Sequence, residues 1–285
     1  MSKICIVFDR LRTEEKMLQK EASNLGHDVV MLDAKINQIN TDSKKEDYGF
    51  GDVVLERCIS YFRGLHITAS LEFMKIPVLN KFEVANICGN KMFMTLCLKK
   101  NNIPTPKTYF SFSSESAIKN LEKVGYPLVI KPIIGSWGRG VMPIKDKDTI
   151  ESIVEIRNIT DNPHDRIYYL QELVKRPPRD IRVITVGEKV ISAMYRKSSG
   201  GFKTNIALGA DPEICEITSE MEEMAIKASK AMGGGILGID MMEDDEKGLV
   251  VHEVNNTVEF KGLSKVAKQN IPKEMIEYAL NYVRK

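Results

Sequence analysis

The chain has 285 residues, 43% of them hydrophobic and 28% charged, which suits a substantial core in one large domain or two to three smaller ones and excludes a disordered chain. Forty-one basic residues against 39 acidic ones leave a formal net charge of +2, so no global field draws the protein to nucleic acid or an anionic membrane. Five scattered cysteines (Cys5, Cys58, Cys88, Cys97, Cys215) without a Cys-x-x-Cys pair argue against a disulfide framework or zinc site and read as reduced core residues.

The four histidines show no metal-ligand spacing, and only His252, beside Glu253, stands near other candidate chemistry. Met1 leads almost at once into the strand-like KICIVFD, with no signal-peptide pattern. No apolar run approaches the roughly 18 residues a membrane span needs. A soluble, cytoplasmic protein is expected.

Residues 4–8 form a β-branched apolar run, as in a strand buried on both faces. A helix should follow, with Thr13 as its cap, Glu14 and Glu15 at its positive end, Leu18, Ala22 and Leu25 facing inward, and Gly26 as its stop. Residues 28–32 read as a second strand, 33–51 as a polar loop, 53–56 as strand, 65–74 as helix and 77–79 as a short strand. This alternation predicts a small open sheet, mostly parallel; no Gly-x-Gly-x-x-Gly follows the first strand, so it is not a standard dinucleotide fold.

From Asn86 the segment CGNKMFMTLCLKKNNIPTPKTYF predicts one amphipathic helix ending before an extended Pro-x-Pro stretch, a plausible domain border. A small α+β block follows, with helices over 114–124 and 149–158 and strands over 128–131, 141–144 and 168–174. After Arg179 the texture becomes antiparallel: strands over 181–186 and 190–195 join at Gly187-Glu188, and a helix over 220–231 ends at three glycines. Two further strands bracket a short turn, and Pro272 opens a final helix with Met275, Ile276, Ala279, Leu280 and Val283 on its apolar face. The expected units are 1–86, 87–178 and 179–285.

The chemistry concentrates where polar groups interrupt apolar strands. Asp240 lies among Ile236, Leu237, Ile239 and Met241, while Glu253 and Asn255, two apart, share one strand face. Three hard oxygen ligands of this kind suit Mg²⁺ with substrate phosphates. By themselves they suit equally a capped turn and a wet edge strand.

Lys131 ends the strand LVIK and leads into Gly135, Ser136, Trp137, Gly138, Arg139, Gly140 and Val141. A buried lysine beside a glycine-rich loop reads as a phosphate lid, since backbone N–H groups there can approach phosphate oxygens; no Gly-Lys-Ser/Thr makes it a P-loop. A plain hairpin turn with Trp137 filling a gap is the alternative. Gln171, Glu172, Leu173 and Val174 precede Pro177-Pro178, where exposed backbone could meet an adenine edge. Arg182 and Arg196, on opposite arms of the expected hairpin, could hold phosphate or carboxylate in fork-like hydrogen bonds.

Taken together, Lys91, the Lys131 strand with GSWGRG, QELV, RDIRV, Arg196, KTNIALGA and the Asp240, Glu253, Asn255 set occur in the order and spacing of an ATP-grasp ligase. The whole chain resembles that family's RimK-like branch, and within it the LysX/ArgX enzymes, which join an amino acid to the carrier protein LysW. NNTVEFKGL resembles their terminal signature.

The resemblance implies an α/β (α+β) ATP-grasp fold with an N-terminal pre-ATP-grasp open sheet, a small central α+β domain and a mainly antiparallel C-terminal sheet. It implies ATP and Mg²⁺ as cofactors: Lys91 and Lys131 on the phosphates, Gly135 to Val141 as a mobile lid, Glu172 to Val174 as the adenine hinge and Asp180 as a ribose contact. Arg196 and Asn205 would stabilise the γ-phosphate region, and Asp240, Glu253 and Asn255 would hold the metal. The segment Glu259, Phe260, Lys261, Gly262 and Leu263 would set substrate specificity; Gly262-Leu263 keeps the glycine of glutamate-using members, so glutamate is favoured over α-aminoadipate, with dual use open. The implied partner is an acidic LysW-type carrier, the implied assembly a dimer or tetramer, and the alternative reading a RimK-type ligase adding glutamate to another protein or peptide.

Overall fold

A computed structural model of the protein describes residues 1–42, 48–197 and 212–283. Four parallel strands, β1 (Lys3–Phe8), β2 (Asp28–Asp33), β3 (Val53–Glu56) and β4 (Val78–Leu79), form the first sheet in the order β2-β1-β3-β4. Helices α1 (Thr13–Asn24) and α2 (Tyr61–Phe73) connect them. Thr13 is the first helical residue and not the cap: Arg12 holds the cap position, and the Glu15 carboxylate reaches back to accept from its N–H at 2.9 Å. The expected single helix after residue 86 is two, α3 (Phe82–Gly89) and α4 (Lys91–Lys100). The break lies at Asn90, which is extended and whose side chain accepts from the N–H groups of Met92 and Phe93.

The second sheet is antiparallel, in the order β5-β8-β6-β7, from β5 (Thr108–Ser111), β6 (Leu128–Lys131), β7 (Met142–Ile144) and β8 (Tyr168–Glu172). Helices α5 (Ser114–Val124) and α6 (Lys147–Asn158) cover it, burying Ala117, Leu121, Ile150 and Val154 against Leu128 and Ile130. Strand β5 lies in what reads by sequence as a merely extended segment; pairing with β8 supplies the order that its short length does not.

The third sheet runs β11-β10-β9-β12-β13, from β9 (Arg179–Val186), β10 (Lys189–Lys197), β11 (Pro212–Ile214), β12 (Ile236–Asp244) and β13 (Gly248–Asn255). One face packs Val183, Leu237 and Met241 on Ala225 and Ala228 of α7 (Ser219–Met232). The other places Ile184 and Val186 in a core shared with Ile4 and Ile6 of the first sheet and with Ile276 and Ala279 of α8 (Ile271–Tyr282). The first and third sheets are therefore joined by apolar burial. Asn80 reinforces the junction, accepting from Ile236 N at 2.7 Å and donating to the carbonyls of Ile236 and Asn256. A side chain on Gly235 would place its Cβ 2.2 Å from Asn80 Oδ1, which is why the turn before β12 needs glycine.

All five cysteines are free thiols, four of them buried and Cys97 partly so. Among the described residues no helix is long and apolar enough to cross a membrane.

Candidate active site

Cross-strand register builds the site. Asp240 of β12 stands between Arg182 of β9 and Glu253 of β13, and Arg196 of β10 stands opposite Asp180 of β9. Period two puts these residues on one face of the third sheet, at the end its apolar core leaves open. The register between β12 and β13 shifts after Asp240, so His252 is an extra residue in β13. That bulge re-aims the strand, and His252 and Glu253 both line the same cavity.

Asp240 is 2% exposed, and a carboxylate so buried needs opposite charge. Arg182 supplies it through two hydrogen bonds, the one from Nη2 at 2.8 Å, and Arg196 Nη2 adds a third at 3.1 Å. Burial pushes the Asp240 carboxyl up, but Arg182 and Arg196 outweigh it and hold it well below the usual carboxylate range. Arg196 also binds Asp180 in a two-pronged pair at 2.6 and 2.9 Å. The expectation that Arg182 and Arg196 form a free fork for phosphate or carboxylate is thus corrected: both guanidiniums are committed to carboxylates. Asp180, 2% exposed, orients Arg196.

Lys131 is 7% exposed, and its Nζ donates to Gln171 Oε1 at 2.6 Å. Gln171 is fixed in turn by Thr108 and by the Tyr169 hydroxyl, which meets Thr95 at 2.8 Å. This polar layer aims the ammonium at the cavity, so Gln171 acts beneath Lys131 and not as part of a hinge. Desolvation lowers the Lys131 pKa to about 8, against the opposing pull of Glu253. Lys91, in the first turn of α4, donates to Glu253 Oε1 at 3.1 Å and to the Gly135 carbonyl at 2.7 Å. Lys91 thus pairs directly with Glu253, while the Lys131 ammonium, held by Gln171, lies within reach of the charges of both.

The loop from Gly135 to Val141 covers this end of a cavity of about 590 Å³. Gly135, Trp137, Gly138 and Gly140 have positive φ, and Trp137 adopts this left-handed backbone at φ +59° although it carries a side chain. Trp137 donates its Nε1 proton to Glu259 Oε1 at 3.0 Å, and the Arg139 guanidinium lies 4.9 Å over its ring. Gly135, Ser136, Trp137, Gly138, Arg139 and Val141 line the cavity.

Glu172, Leu173 and Val174 do not line it: the Glu172 carboxylate accepts from Lys107 N at 2.7 Å and pairs with Lys247. Of the terminal signature, Glu259, Lys261 and Gly262 line the cavity, whereas Phe260 and Leu263 are fully buried in the core that joins the first and third sheets. Those two cannot touch a substrate directly. Asn205 and the rest of KTNIALGA lie outside the described residues.

Several lining residues escape a sequence reading. Part of the lining comes from the C-terminal edge of the first sheet: Arg12 at the cap of α1, Glu56 ending β3, Ser60, and Tyr61 opening α2. Burial pushes the Glu56 carboxyl up to about 7. His252, 9% exposed, has neither ring nitrogen in a hydrogen bond, and burial followed by the charge of Lys131 holds it neutral. Adjacency to Glu253 was its only sequence signal.

Among the described residues no three His, Cys, Asp or Glu side chains gather at metal-binding spacing. The donor set facing the cavity is instead Asp240, Glu253 and the Asn255 amide, whose Nδ2 lies 3.3 Å from Asp240 Oδ2. Two carboxylates and an amide oxygen, open to further oxygen ligands, fit a hard divalent ion that takes its remaining ligands from phosphate and water.

Two buried lysines under a glycine-rich loop, facing Glu253 and an Asp240 held by two arginines, suit a phosphorylated nucleotide between two antiparallel sheets. That architecture is the ATP-grasp ligase class. Residues 88–279 match the RimK-like ATP-grasp domain and residues 4–87 the LysX preATP-grasp domain. The chain belongs to the RimK-like ATP-grasp family, whose members form amide bonds at the expense of ATP. It is 37% identical over 282 residues, 98% of this chain and 99% of the other, to the alpha-aminoadipate–LysW ligase LysX of Sulfurisphaera tokodaii. It is 32% identical to the glutamate–LysW ligase ArgX of Sulfolobus acidocaldarius, covering 99% and 100% of the two chains. The fold matches a RimK domain ATP-grasp protein of Sphaerobacter thermophilus with a TM-score of 0.80 at 21% identity, over 98% and 99% of the chains.

Proposed function

We propose that the protein is a cytoplasmic ligase that joins the amino group of glutamate to the C-terminal glutamate of a LysW-type carrier, with α-aminoadipate as a second substrate. The observation that carries the reading is the convergence of Lys91, Lys131 and Glu253 beneath the loop from Gly135, at one end of a cavity also lined by Arg12 and the terminal signature. The full-length likeness to ligases named for LysW supports the carrier as acceptor. Phe260 and Leu263 stand out of the cavity. A methylene is worth only about 1–3 kcal/mol of discrimination in any case. Both features support use of the two amino acids.

In this reaction a carboxylate oxygen of the carrier attacks the γ-phosphorus of ATP and ADP leaves. The amine then adds to the acyl carbon of the acylphosphate, the C–O bond to phosphate breaks, and the amide and phosphate remain. Lys91 and Lys131 neutralise phosphate charge, and the loop from Gly135 to Val141 excludes water. Arg182 and Arg196, the latter oriented by Asp180, fix Asp240. Asp240, Glu253 and Asn255 would hold Mg²⁺, which screens the triphosphate when bound.

The working assembly is a homo-oligomer, and the chain divides functionally at 86/87 and 178/179.

ADP formation tests the reading: sustained turnover should require carrier and amino acid together, with carrier alone giving about one ADP per enzyme from the acylphosphate step. ADP formed equally well with glutamate and no carrier would overturn it in favour of a different acceptor.

A further inference from the structure

Three parts of the molecule meet on one carboxylate oxygen. Glu259 Oε1 accepts from Trp137 Nε1 at 3.0 Å and from Arg12 Nη1 at 3.2 Å. Arg12, at the cap of α1, is held in turn by Glu15 at 2.8 Å and by the Arg57 carbonyl at 3.3 Å. Arg139 lies 4.9 Å over the indole ring. At the root of the same loop, Lys91 grips the Gly135 carbonyl at 2.7 Å. The loop is thus tied at its root to the phosphate end of the cavity and at its tip to the terminal signature and the first sheet.

We propose that Glu259 is a positioning residue that clasps Trp137, so that the loop shields the acylphosphate until the amine has arrived, and that it does so instead of reading the amino acid itself. The proposal rests on the ligase reading above. An indole N–H and a guanidinium both donate to this one oxygen, and the guanidinium adds charge, so the contact is stronger than a neutral hydrogen bond. Its loss shifts an open–closed balance by about tenfold. An open loop admits water, whose oxygen adds to the acyl carbon; the C–O bond to phosphate breaks, the carboxylate is regenerated, and one ATP is consumed without an amide.

Trp137 is the chain's one tryptophan, so its fluorescence reports the clasp directly. The experiment compares wild type, E259A, E259Q, W137F and W137F/E259A, each checked for cooperative thermal unfolding. In the first arm, acrylamide quenching is measured without nucleotide or carrier. It should rise by about twofold or more in E259A and much less in E259Q, which keeps an acceptor oxygen for the indole. In the second arm, phosphate released per amide bond formed should rise from about one in wild type to about three or more in E259A and W137F, with the double variant no worse than the worse single. Unchanged quenching in E259A overturns the clasp; increased quenching with the ratio still at one, or single effects that multiply in the double variant, overturns its role in coupling. Failure of wild type to form any amide would sink the ligase reading while leaving the fluorescence arm to decide the clasp.

Discussion

Asp240 is ionised in a strand that is otherwise apolar because Arg182 and Arg196 meet it there, and this fixes what their substitution does. Arg182→Met removes the larger share of its compensation and should cost toward the lower end of the about 3–5 kcal/mol seen when one partner of a buried pair is lost, since Arg196 remains. Chemical denaturation checks this, and adding Asp240→Leu should restore most of the stability while abolishing activity. A double variant no more stable than the single would mean that Asp240 is not the charge being compensated. Glu253→Gln keeps volume and removes one ligand charge; it should weaken Mg²⁺-dependent ATP turnover by tenfold or more, with a melting temperature within about 3 °C of wild type. Equal loss of both would contradict a role in the site.

Lys131 gives a pH dependence of definite sign. Burial lowers its pKa to about 8, below the usual lysine value, so it loses its charge as pH rises through about 8 while the unfolded chain stays protonated to higher pH. The nucleotide-free protein therefore gains stability from this group between about pH 8 and 10.5, the unfolded value, and ATP binding weakens over the same rise. Calorimetric titration near pH 8.5 in buffers of different ionisation enthalpy should show net proton uptake on binding ATP; no uptake would contradict it. At this scale the sequence was informative wherever a polar residue broke an apolar run, as at Lys131, Asp240 and Glu253. It was silent on partners set by register, so Arg182 and Arg196 read as phosphate forks when they are the counter-ions of Asp240.

At the level of elements, periodicity located the strands of the first sheet, those of the third except the short edge strand β11, and most helices within a few residues. It failed where one side chain overrides a smooth pattern: Asn90 breaks the helix expected after residue 86, and the extra residue His252 turns β13 toward the cavity. Helix packing supplies a further prediction. A Cβ at Gly89 would lie 2.0 Å from the Tyr61 ring, so α3 can approach α2 only without a side chain there. Gly89→Ala should cost about 1–3 kcal/mol by forcing the two helices apart, despite the higher helix propensity of alanine. A thermal melt equal to or above wild type would contradict that packing.

Across the whole molecule, one apolar core joins the first sheet, α8 and the third sheet, and the covering loop bridges from the second sheet to both. The cavity is a product of all three sheets, which is why its N-terminal wall, with Arg12, Glu56 and Ser60, had no local sequence signal. The residues that carry the family resemblance, Lys91, Lys131, Asp240, Glu253 and Asn255, all line the cavity, and their order along the chain is visible in sequence. The identity of the amine partner is not written in such an order, since Phe260 and Leu263 support the wall from behind.

The most direct test of the central claim is intact-mass spectrometry of a LysW-type carrier incubated with the protein, ATP and Mg²⁺, with glutamate, with α-aminoadipate, or with neither. The account predicts a carrier mass increased by one amino-acid residue with either amino acid, in greater yield with glutamate, and no change with neither. An unmodified carrier in all three reactions, with ATP binding intact, would contradict it.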